Sequence, residues 1–292
     1  MAYLEIKDLT KSYSGVMVLD HFSASLEKGE TLCLIGDSGS GKTTFLRLLN
    51  FLEEVDPQSG GKVLLDGKAI LDDNPLSRKE KQERRKNFGL VFQSYNLFPQ
   101  YNVYNNILLP VKSKIRKELR KEKLSIKERR AEYQKVLAEK RKEADNLLES
   151  VSLLSKKESY PYQLSGGEAQ RVAILRALIL SPKVLCFDEP TAALDPKLKR
   201  QVAETILSLK KQGQTIIVVT HEMELAAAIS DQVIFLEKGK IIESGTREIL
   251  SSPKSEELKA FLTGEDKDSP HGREKDIDRE RARGTLFSLS QD

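Results

Sequence analysis

The residues Gly36-Asp37-Ser38-Gly39-Ser40-Gly41-Lys42-Thr43 carry the densest chemistry in the chain. They satisfy G-x-x-x-x-G-K-[ST], with the apolar run "TLCLIG" leading in and a helical pattern leading out through Thr44. Glycines let a backbone wrap an anion with its N–H groups turned inward, and a helix start adds partial positive charge. The Lys42 amine and Thr43 hydroxyl at the end of such a loop suit a polyphosphate and Mg²⁺. A second group, Asp188-Glu189, closes the apolar run "KVLCFDEP". Asp188 at that strand end suits Mg²⁺, directly or through water, while Glu189 points elsewhere and can polarise an attacking water. Alone, such a pair is also an ordinary acidic loop; together with the phosphate loop it reads as chemistry. A second glycine pair, Gly166-Gly167 in "YQLSGGEAQRVAILRAL", heads another helix far from the first loop.

These residues need a scaffold of strands that end where they begin. "YLEIKDLTKSY" and "MVLDHFSASL" alternate as strands, and "ETLCLIG", "GKVLLDG", "NFGLVFQ", "KVLCFDEP" and "TIIVVTHE" are short apolar runs. "QVIFLEKGKIIESG" reads as a hairpin turning at Lys238-Gly239. Helices fall on "GKTTFLRLLNFL", with Phe45, Leu48, Leu49 and Leu52 on its apolar face, on "KLKRQVAETILSLKKQG" and on "MELAAAIS". Strands alternating with helices predict an α/β fold with a largely parallel sheet.

The 292 residues suit one large domain or two small ones. No run approaches the roughly 18 apolar residues of a membrane span, and "MAYLEIKDLT" has no secretory pattern. Cys33 and Cys186 each lie inside an apolar run, which reads as small core residues in a reducing compartment. The formal charge of +4 is uneven: residues 112–142 hold fourteen Lys/Arg against five Glu, an excess of +9, leaving the remainder near −5. That confinement argues against a nucleic-acid partner, whose surface spreads cations over the fold. The segment is helix-forming, with a thin apolar stripe of Ile115, Leu119, Tyr133, Val136 and Leu137. It reads as a solvated helical insertion, or as a cationic surface for anionic lipid or a partner. Residues 264–292 are polar until "TLFSL" and have the composition of a disordered tail.

The phosphate loop, "LSGGE" at Leu164–Glu168, "LCFDEP" at Leu185–Pro190, "AALD" at Ala192–Asp195 and "VVTHE" around His221 occur in that order. Over about residues 3–263 this order resembles the ATP-binding cassette (ABC) family. The resemblance implies a P-loop NTPase with a RecA-like core, an antiparallel β subdomain and a helical subdomain at about 94–180, all within a nucleotide-binding domain spanning 1–263. It implies ATP and Mg²⁺ as ligands and head-to-tail pairing with a second nucleotide-binding subunit. Ser165, Gly166, Gly167 and Glu168 would then clamp the nucleotide held by the partner's phosphate loop. Tyr13 matches the aromatic that stacks on adenine, with Val16 beside it. Gln93 matches the glutamine that reaches Mg²⁺ and water, Asp195 the interface aspartate, and His221 the histidine on the γ-phosphate. The family more often has Gln at the position of Glu168, which puts that contact in doubt.

"VFQSYNLFPQYNVYNNILLPV", Val91–Val111, resembles importer subunits for polar amino acids, where "FQ-x-x-NLFP" precedes "V-x-x-N". The resemblance implies a groove for a cytoplasmic permease helix, with Phe98, Pro99 and Tyr101 supplying its apolar pocket, at the cytoplasmic face of a membrane. It also implies, indirectly, an extracytoplasmic solute-binding protein. A lipoprotein or peptide exporter, or an ABC ATPase without a permease, stays open at this point.

Overall fold

The structure, a computed structural model, describes residues 2–264 except 57, 58, 73 and 193; the expected tail beyond Gly264 lies outside the described residues. The elements in chain order are β1 (Leu4–Tyr13), β2 (Val16–Leu26), β3 (Thr31–Ile35), α1 (Lys42–Leu49), β4 (Lys62–Leu65), β5 (Lys68–Leu71), α2 (Arg78–Arg85), β6 (Phe88–Val91), α3 (Val103–Leu119), α4 (Ile126–Ser150), α5 (Gly166–Leu178), β7 (Val184–Asp188), α6 (Pro196–Lys211), β8 (Thr215–Val219), α7 (Met223–Ile229), β9 (Gln232–Glu237), β10 (Lys240–Thr246) and α8 (Glu256–Thr263).

They form two sheets. The larger has the order β10-β9-β3-β8-β7-β6, parallel except at the β10 edge. Its inner strands "TLCLI", "VLCFD" and "TIIVV" are covered on both faces, which explains why they read as continuous apolar runs. Cys33 and Cys186 are fully buried here, and burial pushes both thiols up to about 12. The smaller sheet, β2-β1-β4-β5, is antiparallel. Two-residue turns with positive φ at both positions, Ser14-Gly15, Asp66-Gly67 and Lys238-Gly239, join its hairpins and β9 to β10.

One apolar cluster lies between the smaller sheet, α1 and the near face of the large sheet. A second lies between the far face, α6 and α7. A third joins α3, α4 and α5 into a helical layer. The stripe expected in 112–142 is the seam of that layer: Ile115, Leu119 and Leu137 are buried in it, and Tyr133 and Val136 pack against it. The charged stretch is thus the open end of the α3/α4 hairpin.

Helix α1 is shorter than its sequence pattern. Phe51 turns left-handed at φ 53°, and Phe51 and Leu52 N–H groups bond back to the Leu48 and Arg47 carbonyls. That closure stops the helix, so Leu52 is exposed rather than on the apolar face. Arg85 of α2 then donates to the Asn50 and Phe51 carbonyls, covering the spent helix end.

Candidate functional site

In the large sheet, strand order β3-β8-β7-β6 lays the chemistry out in a row. Lys42 and Thr43 follow β3, His221 follows β8, Asp188 and Glu189 close β7, and Gln93 follows β6. Strands stand about 4.8 Å apart, so four of them gather these residues within about 14 Å at one edge. Ligand sites of open α/β sheets form at this C-terminal edge.

The phosphate loop is pressed into the scaffold. A Cβ at Gly36 would lie 2.1 Å from the Leu236 carbonyl oxygen of β9, so only glycine fits. Asp37, Ser38 and Gly39 are exposed at the crest, while Ser40 is buried. Gly41, left-handed at φ 109°, is the N-cap of α1, and Thr44 lies half-buried in its first turn. The Lys42 ammonium folds back over the loop, donating to the Gly36 and Asp37 carbonyls at 2.7 Å each and reaching Ser40 Oγ at 3.4 Å. Burial pulls its pKa down, against Glu189, Asp37 and Asp188, which pull it up. The Thr43 hydroxyl donates to Asp188 Oδ1 at 3.1 Å. Burial holds the Asp188 carboxyl above the usual range, with the Thr43 bond opposing and the Glu189 charge adding to the rise.

Glu189 takes a left-handed backbone at φ 49°. Its N–H still bonds to the Val219 carbonyl at 2.9 Å, so the residue is fixed to β8 while its side chain leaves the line of Asp188. The carboxylate accepts the His221 backbone N–H at 3.3 Å and lies 2.9 Å from His221 Nδ1. Thr43–Asp188 and Glu189–His221 are thus two side-chain pairs joined through the Asp188-Glu189 peptide, with the Lys42 ammonium held on the loop carbonyls. Gln93 stands exposed two residues beyond the end of the neighbouring strand.

Tyr13 and Val16 are cross-strand partners flanking the Ser14-Gly15 turn, 41% and 66% exposed. Lys11 Nζ lies 5.3 Å from the Tyr13 ring centroid. This tip is tied to the phosphate loop: the Asp20 N–H bonds to the Gly239 carbonyl, and the Gly239 N–H to the Ser40 carbonyl, both at 3.0 Å. An exposed aromatic and an exposed aliphatic side by side, anchored to a phosphate cradle, form a platform for a planar ring.

The second glycine pair is not brought to the first loop: no hydrogen bond among the described residues joins Ser165–Glu168 to Gly36–Thr43. Ser165 is the N-cap of α5 and forms a reciprocal box with Glu168. The Glu168 carboxylate accepts the Ser165 N–H at 2.8 Å, and Ser165 Oγ accepts the Glu168 N–H at 3.3 Å. Added Cβ atoms at Gly166 and Gly167 would lie 2.9 Å from Leu194 and 2.8 Å from Leu198. The pair thus lets α5 abut the turn into α6, where Asp195 Oδ1 caps the helix by accepting from Lys197 and Leu198 N–H groups at 3.0 and 3.1 Å. Ser165–Glu168 and Asp195 share one patch, and the phosphate loop belongs to another.

A groove of about 470 Å³ opens beside β6 and α3, lined by Phe88, Leu90, Phe92, Phe98, Leu109 and Pro110 among others. Phe98 lies in it as expected; Pro99 and Tyr101 do not line it. Tyr101 stands edge-on to Phe98 at 6.1 Å and faces along α3 beside Asn105 and Lys112. The cause is buried Asn106, which accepts the Phe98 N–H at 2.8 Å and donates to the Phe98, Tyr101 and Asn102 carbonyls, fixing the turn. Sequence reasoning also passed over Arg176 of α5. It donates to the Tyr95 and Asn96 carbonyls at 2.7 and 2.5 Å, clamping the loop after Gln93 to the helix that Ser165 begins. An arginine interrupting the apolar run "VAILRALIL" was the available signal.

Among the described residues no helix is long and apolar enough to cross a membrane, and no group of three His, Cys, Asp or Glu could hold a metal. A hydroxyl and one carboxylate 3.1 Å apart instead fit Mg²⁺, which takes few protein oxygens and completes its shell with phosphate and water.

The family described as ABC transporter matches residues 19–192. The chain is 42% identical over 262 residues to the L-cystine import ATP-binding protein TcyN of Bacillus subtilis, covering 89% of this chain and 92% of that one. It is 39% identical over 268 residues to the arginine transport ATP-binding protein ArgV of Corynebacterium glutamicum, covering 89% and 97%. Among solved structures, a dimeric post-hydrolysis state of the ATP-binding cassette MJ0796 bound to ADP and Pi aligns with a TM-score of 0.65 at 29% identity, covering 84% and 98%.

Proposed function

Because this chain belongs to the ABC transporter family, whose ATP-binding subunits hydrolyse ATP to drive transport, we propose that it powers import of a small polar solute, an amino acid, through a separate permease. The chain is an ATPase, and residues 1–263 act as its nucleotide-binding domain. The observation that carries the chemistry is the Thr43–Asp188–Glu189–His221 cluster beside the phosphate loop.

The loop amides and Lys42 hold the β- and γ-phosphates, releasing the lysine from its contacts with the loop carbonyls. Tyr13 stacks on the adenine and Val16 packs at its edge. Thr43, Asp188 and Gln93 would hold Mg²⁺, which when bound neutralises charge on the phosphate oxygens. Glu189 takes the proton of the attacking water as its oxygen bonds to the γ-phosphorus. The bond to the bridging oxygen breaks and ADP leaves. His221 contacts the γ-phosphate and, through its link to Glu189, fixes the base. Water and charge are positioned rather than covalently trapped, as phosphoryl transfer requires.

The glycine pair serves a second subunit. Ser165, Gly166, Gly167 and Glu168, with Asp195 beside them, complete the site of the partner in a head-to-tail dimer. Two incomplete patches on one chain are what such pairing needs. ATP then holds the dimer and its hydrolysis loosens it, so binding energy becomes motion. The groove around Phe98 takes a cytoplasmic helix of the permease, which places the subunit on the cytoplasmic face of the membrane. The amino acid assignment is supported by the named activities of the cystine and arginine relatives.

The test is capture of this chain from detergent-solubilised native membranes with partners identified by mass spectrometry. A small permease and an extracytoplasmic solute-binding protein are expected, and that binding protein retains amino acids. A permease with large extracytoplasmic domains and no binding protein moves the assignment to lipoprotein or peptide export. No membrane partner ends the transport reading.

A further inference from the structure

We propose that the open end of the α3/α4 hairpin rests on anionic phospholipid head groups of the membrane beside the permease. Along α3, Asn105, Leu109, Lys112, Ser113, Arg116 and Arg120 recur at helical spacing on one face. Leu109 and Ser113 also line the Phe98 groove, so cationic strip and groove are one continuous surface. At the hairpin tip, Arg116 and Arg120 meet Arg129 and Arg130 of α4 around Ile126.

None of Lys112, Arg116, Lys117, Arg120, Arg129 and Arg130 forms a salt bridge among the described residues. Two of the nearby carboxylates are engaged elsewhere: Glu118 faces Lys86 at 3.7 Å, and Glu128 caps its own helix through Ser125. Burial lowers the Lys112 pKa, and Arg141 and Arg116 lower it further, as expected of cations facing cations. Their internal contacts are to neutral groups: Lys112 donates to Asn105 Oδ1 at 2.6 Å, Lys117 to Gln82, and Arg129 to the Leu124 carbonyl at 3.3 Å, while Arg116 lies over the Tyr133 ring at 5.8 Å; none of these contacts neutralises the charge. Ile126 adds a second, independent feature. It is 86% exposed, the most exposed large apolar residue described, and sits in a ring of arginines. Cations around a protruding aliphatic match a lipid interface, where the heads meet phosphate and the aliphatic enters the acyl boundary.

The orientation rests on the permease reading: if the groove receives a permease helix, the strip continuous with it faces the same leaflet. A surface cation adds roughly fivefold to attachment, so this cluster suffices for a weak, salt-sensitive hold. Such a hold keeps the subunit at the membrane while the dimer opens.

The experiment is co-sedimentation of the full chain with phosphatidylcholine vesicles, with and without one third phosphatidylglycerol, in ~0.1 M salt, where charges act over about 10 Å. Binding to the anionic vesicles is expected to exceed that to neutral ones by roughly tenfold or more and to fall as salt rises. The combined variant Lys117→Gln, Arg120→Gln, Arg130→Gln should drop to the neutral level. Ile126→Asp, a helix-compatible change at the first position of α4, should lose several fold. Both variants should keep ATPase activity. Equal binding to the two vesicle types, or full binding by the combined variant, overturns the proposal. Displacement from vesicles by RNA at lower phosphate concentration than by free vesicles reassigns the strip to nucleic acid. A chain that captures a permease but ignores anionic vesicles loses this inference alone; one that binds them but captures no permease loses the transport reading alone.

Discussion

Glu189 holds its left-handed backbone because its N–H is tied to Val219 and its carboxylate to His221, so a side chain of the same shape keeps the fold. Glu189→Gln is expected to retain ATP binding and lose about 10²–10⁴-fold in turnover, the usual worth of a general base. A phosphate-release assay reads this directly, and activity within a few fold of wild type removes Glu189 from the role. Asp188 shows the opposite economy. Its raised pKa means that folding favours the protonated form, so the penalty is absent in acid, grows as pH rises through the carboxylate range, and is complete at neutral pH. Asp188→Asn should therefore melt a few degrees higher than wild type at pH 7 without ligand, lose that advantage near pH 4, and gain less than wild type from Mg-ATP. Melting curves at the two pH values check the sign. The thiols allow a third test: buried and raised to about 12, Cys33 and Cys186 should resist alkylation at pH 8 until the chain unfolds. The nature of these residues was legible because spacing such as G-x-x-x-x-G-K-T reflects a backbone requirement. Their mutual contacts were not, since Thr43 and Asp188 are separated by 145 positions.

The Glu in place of the family's usual Gln at the head of α5 is explained at the level of the helix. Glu168 closes a capping box with Ser165, a role glutamine also fills. Glu168→Gln should change stability by less than ~0.5 kcal/mol, while Glu168→Ala should cost roughly 0.5–1 kcal/mol by denaturant titration. Asn106 acts on an element too. Asn106→Leu strands the Phe98 N–H and the Tyr101 carbonyl, while the Phe98 and Asn102 carbonyls keep the Tyr101 and Asn106 backbone N–H groups; it should cost roughly 2–3 kcal/mol and release Phe98 from its groove. Strands β3, β7 and β8 were readable because burial on both faces leaves an unbroken apolar run. Strand β5 was missed although Asp66-Gly67, a favoured hairpin turn, announces it. Helix α2, "RKEKQERR", has no buried residue; it is held by its capping box, by Arg84 on the Ile70 carbonyl of β5 and by Arg85 on the end of α1, so periodicity had nothing to register.

Across the whole molecule, the phosphate loop and the Ser165–Asp195 patch are separate surfaces, and neither completes the other within one chain. With turnover blocked by Glu189→Gln, Mg-ATP should shift the chain from monomer to dimer by size exclusion; persistence as a monomer at saturating ATP contradicts the shared site. The presence of an α/β sheet followed from the alternation of elements. The order of its strands did not, because nothing in the residues of β3 states that its neighbours are β8 and β9.

That order also sets a timetable for synthesis. The strand carrying the phosphate loop emerges among the first segments of the chain, yet both of its ladders are made with strands that begin at Thr215 and Gln232. At about 5–20 residues per second, the roughly 180 residues before β8 take some 10–40 s on the ribosome. For that interval "TLCLI" has two open edges and, on the face that α6 and α7 close, no cover, and ATP has no finished cradle to scaffold. A nascent chain stalled before Gln232 should therefore be a holdase client, and efficient production of this subunit should depend more on chaperone supply than on nucleotide.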